Sequence, residues 1–326
     1  MAGVQGWELA VAVSEAGGLG SIPCGMLSPE QISEEISLYK RHSAQPFNLN
    51  FFCHQMPEKN SSQLSAWEFK LSAYYHSLGV SPTPAVSNLR LPFDDGVADL
   101  LEPFEPPVIS FHFGLPSPLL VERIKAWGTI ILSSATTLEE GLWLEEHGVD
   151  IVVAQGLEAG GHRAMFLTAD SASQMNTTLL LGELLNTLKV PVIAAGGIAS
   201  HAGVKSMLLL GASGVQVGTS YLLCDEAKTS QVHREALQDI DRTTAITNLF
   251  SGRLARGIQN KFMNDFGPVS SEVPDFPFAS IALGPLRSRA ESLGLSDFTP
   301  LWSGEDRSGC KEVSAKTMTN YLWMGE

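Results

Sequence analysis

Five short apolar runs between residues 108 and 217 constrain this chain more than any other feature. They are Val108-Ile-Ser-Phe-His112, Thr129-Ile-Ile-Leu-Ser133, Asp150-Ile-Val-Val-Ala154, Val190-Pro-Val-Ile-Ala-Ala195 and Gly214-Val-Gln-Val217. Most are nearly continuous in Val, Ile and Leu rather than alternating with polar residues. Strands buried on both faces of a parallel sheet have this pattern. Helical spacing fills the gaps. Thr137 and Glu140 open a helix that runs to His147, Leu181, Leu184, Leu185 and Leu188 mark a second, and Ser200 caps a third that reaches Leu210. Such βα alternation predicts α/β architecture.

The rhythm extends upstream. Leu9, Ala12, Val13 and Ala16 follow helical spacing that Gly17-Gly18 stops. Leu19-Gly-Ser-Ile-Pro23 and Phe47-Asn-Leu-Asn-Phe-Phe52 read as strands. Between them Ser28-Pro29-Glu30-Gln31 is a capping box with Pro at N1. The total is seven strands, whereas a (β/α)8 barrel needs eight. Residues 53–104 are less regular, with helical character over Leu64–Leu78. Beyond Leu223 the βα rhythm stops, and the composition predicts helices and loops. A (β/α)8 barrel and a doubly wound sheet are both candidates, and the expected division is this α/β unit, as a barrel if the strands close, over residues 1–224, with an irregular insertion at about 53–104, and a cap over 225–326.

Composition narrows the function. Hydrophobic residues are 44% and charged residues 17% of the 326, so the chain can bury a large core and is not of the disordered class. A net charge of −14 argues against a phosphate backbone as main partner, so no nucleic acid is expected. Cys24, Cys53, Cys224 and Cys310 are widely spaced without a CxxC pair. That favours neither a disulfide scaffold nor a metal site, and suits a reducing cytoplasm. No apolar run is long enough for a membrane helix, and no secretory leader is visible.

Four segments carry candidate chemistry. Ala194-Ala195-Gly196-Gly197-Ile198 and Val217-Gly218-Thr219-Ser220 are glycine turns after successive strands, one βα unit apart. Glycine admits close backbone approach, and amides at a helix start bind anions. In barrels the last two such loops commonly hold a phosphate, although two ordinary turns are the alternative. No GxGxxG fingerprint followed by an acidic residue is present. The second segment, Gln155-Gly-Leu-Glu-Ala-Gly-Gly-His162, follows a buried strand and can wrap a flat ligand. Gln155 both donates and accepts, which suits a heterocycle edge. His162 can act as general base or anion anchor, a surface histidine being the alternative.

Third, Asn48-Leu-Asn50 ends a strand, where Asn50 can reach a ligand or serve a turn. Fourth, His112 ends the next strand and can line the same pocket or be structural. His42, His54, His76, His147, His201 and His233 have no partner pattern and read as surface or packing. Cys53 and Cys224 lack an activating base, so no thiol nucleophile is expected. Arg253 and Arg256, set among glycines, can grip an anion or sit in a solvated loop.

These motifs together carry a resemblance. Ala16-Gly-Gly-Leu-Gly-Ser21, Ser110-Phe-His-Phe-Gly114, Gln155-Gly-Leu-Glu-Ala-Gly-Gly-His162, Ala194-Ala-Gly-Gly-Ile198 and Gln216-Val-Gly-Thr219 occur in order. Asn248-Leu-Phe-Ser-Gly-Arg253 and Ala255-Arg-Gly257 follow. In this order and spacing they resemble the nitronate monooxygenases, over nearly the whole chain.

The resemblance implies a TIM barrel with a mostly helical C-terminal cap. It implies FMN, with Asn50, Gln155, Gly160, Gly197, Gln216, Gly218 and Thr219 as its contacts and His162 as the catalytic residue. The implied reaction converts an alkyl nitronate, such as propionate 3-nitronate, and O2 to a carbonyl compound and nitrite, with no metal. A cytoplasmic monomer or homodimer would fit that role. The family's first strand ends in Ala-Pro-Met, and Met1 falls at that Met, so one strand of eight is expected to be missing. Ala164 stands where relatives often have Gly, and Glu305 where Gln is expected. An NADH-dependent flavin enoyl-acyl-carrier-protein reductase, with the same barrel and a similar loop, is the alternative enzyme. A non-catalytic barrel is the alternative of another class.

Overall fold

Seven parallel strands form one curled sheet in which sequence neighbours are spatial neighbours. The computed structural model describes residues 1–82 and 89–325, so part of the 53–104 stretch lies outside the described residues. Among the described residues the strands are β1 (Gly20–Pro23), β2 (Phe47–Phe52), β3 (Val108–His112), β4 (Ile130–Ala135), β5 (Ile151–Gln155), β6 (Gly161–His162), β7 (Val192–Ala195), β8 (Gly214–Gln216), β9 (Thr244–Thr247) and β10 (Ala255–Ile258). The large sheet runs β1-β2-β3-β4-β5-β7-β8. Each of the seven matches a run expected from the sequence, with ends displaced by no more than two residues. This is a TIM-barrel-like sheet of seven strands rather than eight. Among the described residues β1 and β8 do not pair; the first residues of the chain lie by that seam. There Gln5 donates to the Ser21 carbonyl and the Lys228 amide donates to Val4.

Local sequence explains the helices between strands. Pro29–His42 begins with the expected capping box: Gln31 donates to the Ser28 hydroxyl, and the Ser28 amide donates to the Gln31 side chain. Ser117, Thr137, Asn176 and Ser200 cap the helices Pro118–Ala126, Leu138–Glu146, Thr177–Thr187 and His201–Leu209. Their apolar faces pack on the outside of the sheet, where Leu49, Ile109, Ile131, Val152 and Ala194 join the main core. The inner face has its own cluster of Val108, Leu132, Val153 and Ala195.

The helical stretch expected at Leu64–Leu78 is built of two helices, Ser61–Lys70 and Ser72–Leu78, which meet at Leu71. One expectation needs correction. The C-terminal region is mostly helical as expected, but it also holds strands. There β9 and β10 pair antiparallel, and β10 extends the pairing to β6 at Gly161 and His162. A second core joins Trp67, Leu71 and Tyr75 of the insertion to Leu249, Phe262, Leu283 and Leu286 of the C-terminal region. These segments therefore roof one end of the sheet together.

Candidate functional site

Strand register places the polar residues of the sheet on one face. Ser21 aligns with Asn48, Asn50 with Ser110, Phe52 with His112, and Gln155 with Ala195, which in turn aligns with Gln216. In parallel strands aligned residues point the same way. Ser21, Asn48, Asn50, Ser110, His112, Gln155 and Gln216 thus all face inward. Asn48 donates to the Ser21 and Ser110 hydroxyls at 2.8 Å each, and Asn50 donates to the Ser110 hydroxyl at 2.8 Å. This chain of bonds stiffens the layer under the strand ends.

The loop after β5 is held from several directions. The buried Gln155 amide donates to the His162 carbonyl (3.0 Å), and its oxygen accepts from the Ala164 amide (2.8 Å). His112 Nε2 donates to the same His162 carbonyl at 3.1 Å. Arg163 is fully buried and caps the Gln155 carbonyl at 2.9 Å, while Gln174 accepts from its Nε. Glu140, also fully buried, accepts from Thr136 with one oxygen and from the Phe166 and Leu167 amides with the other. From the roof, Arg253 donates to the Met165 carbonyl and Arg256 to the Leu157 carbonyl, each at 2.9 Å. Both arginines are thus tied into the loop rather than solvated. Glu305 pairs with Arg256 at 2.9 Å, which gives the unexpected carboxylate a partner.

This frame presents His162 in an aromatic pocket. Its half-buried ring lies against Phe52, Phe113, Phe276 and Trp302, with centroids 5.4–6.3 Å away. Its Nε2 lies 2.8 Å from the Ser251 hydroxyl. Burial pushes the His162 pKa well below its ordinary value, and the nearby charges of Arg90 and Arg253 push the same way. Burial also lowers His112 to about 3 and His54 to about 4. All three imidazoles are therefore neutral at pH 7. The Arg253 guanidinium stacks 4.0 Å over Phe113. Phe113 itself has φ +72°, a strained setting for a bulky residue, and its ring contributes to the pocket wall.

The two glycine turns lie at the ends of β7 and β8, beside this loop. Gly197 has φ +66°, which only glycine adopts readily. Among the described residues, the Gly197 and Gly218 amides donate to nothing, and a Cβ at Gly218 would meet only Met1, at 3.9 Å. Ser220 Oγ, buried beside the second turn, has no partner among the described residues either. Thr219 Oγ1 instead accepts from the Gly304 amide at 2.9 Å. Gly160 is packed so closely that a Cβ would lie 2.4 Å from Gly304 N.

The structure thus brings His162, Gln155, Gly160, Asn50, Gly197, Gly218 and Thr219 to one end of the sheet. Gln216 shares that end, with an exposed side chain. Of the two readings left open for His54, packing holds: its buried ring is a pocket wall, 4.7 Å from the Phe276 ring. Desolvation pushes up the pKa of the half-buried Cys53 thiol and of the buried Cys224 thiol, as in inert cysteines. The sequence placed Ser110 and Phe113 in a motif with His112 but gave no site role to Ser251, Glu140, Phe52, Phe276 or Trp302. The only local signal was period two: Asn48, Asn50 and Phe52 alternate along one strand.

Comparison with known proteins gives a consistent result. The family model for nitronate monooxygenase matches residues 1–324. A Pseudomonas aeruginosa protein named nitronate monooxygenase is 36% identical over 326 residues, covering 99% of this chain and 93% of its own. The structure of a nitroalkane oxidase from Streptomyces ansochromogenes superposes with a TM-score of 0.89 at 31% identity, covering 99% of this chain and 92% of that one. FabK from Thermotoga maritima is more distant, with a TM-score of 0.71 at 25% identity and coverage of 99% and 89%.

Proposed function

The chain belongs to the nitronate monooxygenase family, and on that premise we propose an FMN-dependent oxidation of small alkyl nitronates with O2 to a carbonyl compound and nitrite. The observation that carries this reading is a neutral histidine, His162, in an aromatic pocket beside two glycine turns with unused amides. The residues present fit the cofactor. Gly197 and Gly218 offer amide donors, and Ser220 a hydroxyl, to a phosphate. Asn50, Gln155 and Gln216 stand on the inner face where a flat ring system would rest. Gly160 keeps the loop close under it, and Thr219 holds the roof through Gly304.

Bound flavin would supply the two-electron redox chemistry and the reaction with O2. The chain's own residues position and protect. Phe52, Phe113, Phe276 and Trp302 exclude water from the reacting carbon. Arg90 and Arg253 give the pocket positive charge, which suits an anionic nitronate. His162 contacts the substrate, and the loop clamps at Gln155, Glu140 and Arg163 fix its place. In this reading residues 1–224 form the flavin barrel and 225–326 the cap, in a cytoplasmic monomer or homodimer.

The test is direct. Protein mixed with FMN should turn yellow and release nitrite from ethyl nitronate in air without NADH. Flavin-loaded protein that yields no nitrite would sink the proposal. Acceleration of NADH consumption by a crotonyl thioester would point to the enoyl reductase alternative instead.

A further inference from the structure

Ser251 makes a contact that the reading above does not use. It lies in the turn Asn248–Arg253, and the turn is rigid. The Gly252 amide donates to the Asn248 carbonyl at 2.8 Å, and Gly252 has φ +90°, where a Cβ would lie 2.2 Å from the Pro274 carbonyl. Asn248 ties the turn to both the amide and the carbonyl of Ser270. The Ser251 side chain is buried, and its hydroxyl has three neighbours. These are His162 Nε2 at 2.8 Å, the Arg253 carbonyl at 3.3 Å and the Arg253 amide at 3.4 Å.

A neutral imidazole has one N–H and one lone pair, and a hydroxyl has one proton. Two arrangements are therefore possible. If Ser251 donates to His162 Nε2, the proton on Nδ1 needs an acceptor. The groups around the ring are Phe52, Phe113, Phe276, Trp302 and the cations Arg90 and Arg253. His112 is already committed as donor to the His162 carbonyl, and His54 Nε2 faces the Met56 sulfur. Among the described residues no hydrogen bond reaches Nδ1, and the Arg253 carbonyl would lose the Ser251 hydroxyl that donates to it at 3.3 Å. If His162 instead donates from Nε2, Ser251 accepts and passes its own proton to the Arg253 carbonyl. All three bonds are then satisfied.

We propose that Ser251 is a positioning residue that holds His162 as the Nε2–H tautomer, so that Nδ1 presents a lone pair to the substrate. The inference rests on the nitronate monooxygenase reading above and makes His162 a base rather than an anion anchor. With a neutral nitroalkane, Nδ1 takes the α-proton, and the C–H electron pair forms the C=N bond of the nitronate. The proton stays on the imidazolium, whose Nε2–H keeps its bond to Ser251. The Arg90 and Arg253 charges near this ring favour its neutral form before the transfer.

The first test needs no flavin. Protein with ring-15N histidine is compared with His162→Gln to assign the His162 signals. The proposal expects the Nε2–H pattern in the wild type, and a tautomer mixture in Ser251→Ala that Ser251→Thr reverses. An Nδ1–H pattern in the wild type, or no change in Ser251→Ala, would overturn it. The second test is kinetic, on flavin-loaded protein. Wild type should consume nitroethane, and in Ser251→Ala the ratio of kcat/KM for nitroethane to that for ethyl nitronate should fall at least about tenfold. Equal losses on both substrates, or no nitroethane turnover by wild type, would count against it. Absence of nitrite from ethyl nitronate would fault the functional reading, while the tautomer result stands apart.

Discussion

Replacing Gln155 by Leu tests the claim that this side chain is a loop clamp before it is anything else. Leu has nearly the same volume, so packing changes little, but two hydrogen bonds disappear. The Ala164 amide is fully buried and has Gln155 as its partner, so losing a buried acceptor costs about 1–3 kcal/mol. The His162 carbonyl keeps its 3.1 Å bond from His112, so its loss is about 0.5–1.5 kcal/mol. The sum is roughly 1.5–4.5 kcal/mol, part of which relaxation of the loop can recover. Gln155→Glu should be worse, because a carboxylate oxygen would then face the His162 carbonyl. The assay is chemical unfolding of flavin-free protein, followed by tryptophan fluorescence and circular dichroism together. A Gln155→Leu protein within about 0.5 kcal/mol of wild type would refute the clamp, since surface changes fall in that range.

Other predictions follow from the same geometry. Gly160→Ala places a methyl 2.4 Å from Gly304 N, so it should lower the melting temperature and weaken FMN binding, read by flavin fluorescence titration. Arg256→Lys loses the fork that joins Leu157, Thr244 and Glu305 and should destabilise by about 1–3 kcal/mol in urea unfolding, whereas an exposed lysine substitution should not. Acid should destabilise the fold through buried histidines. His54, His112 and His233 titrate at about 4, 3 and 4 when folded but near 6.5 when unfolded, so the unfolded state binds more protons as pH falls. Between pH 6.5 and 5 each should cost up to about 2 kcal/mol, and His112→Gln should flatten part of the melting-temperature profile over that window.

Much of the fold was legible because parallel strands bury both faces. Runs such as Ile151-Val-Val-Ala154 can hardly be anything else, and Ser and Thr caps marked where helices began. The antiparallel roof was not legible. β6 is two residues long, and β10 reads Ala-Arg-Gly-Ile, which has no strand propensity and is defined by its partners. β9, with Thr244, Ile246 and Thr247, did carry a β-branched signal. At the site, His162 and the glycine turns stood out because glycine and histidine cluster in sequence. The pocket walls did not, because Phe52, Phe113, Phe276 and Trp302 come from four distant segments. Gln155 was legible as a site residue, but its bonds to its own loop were not, because they depend on how that loop folds back.

The central claim is that His162 contacts the substrate while the glycine turns and the polar inner face hold the flavin. The measurement that tests it most directly is nitrite release from ethyl nitronate by flavin-loaded His162→Ala, with FMN content measured on the same sample. The expected result is an FMN content equal to that of wild type and a kcat/KM lower by about 100-fold or more. Undiminished kcat/KM at full FMN content would contradict it.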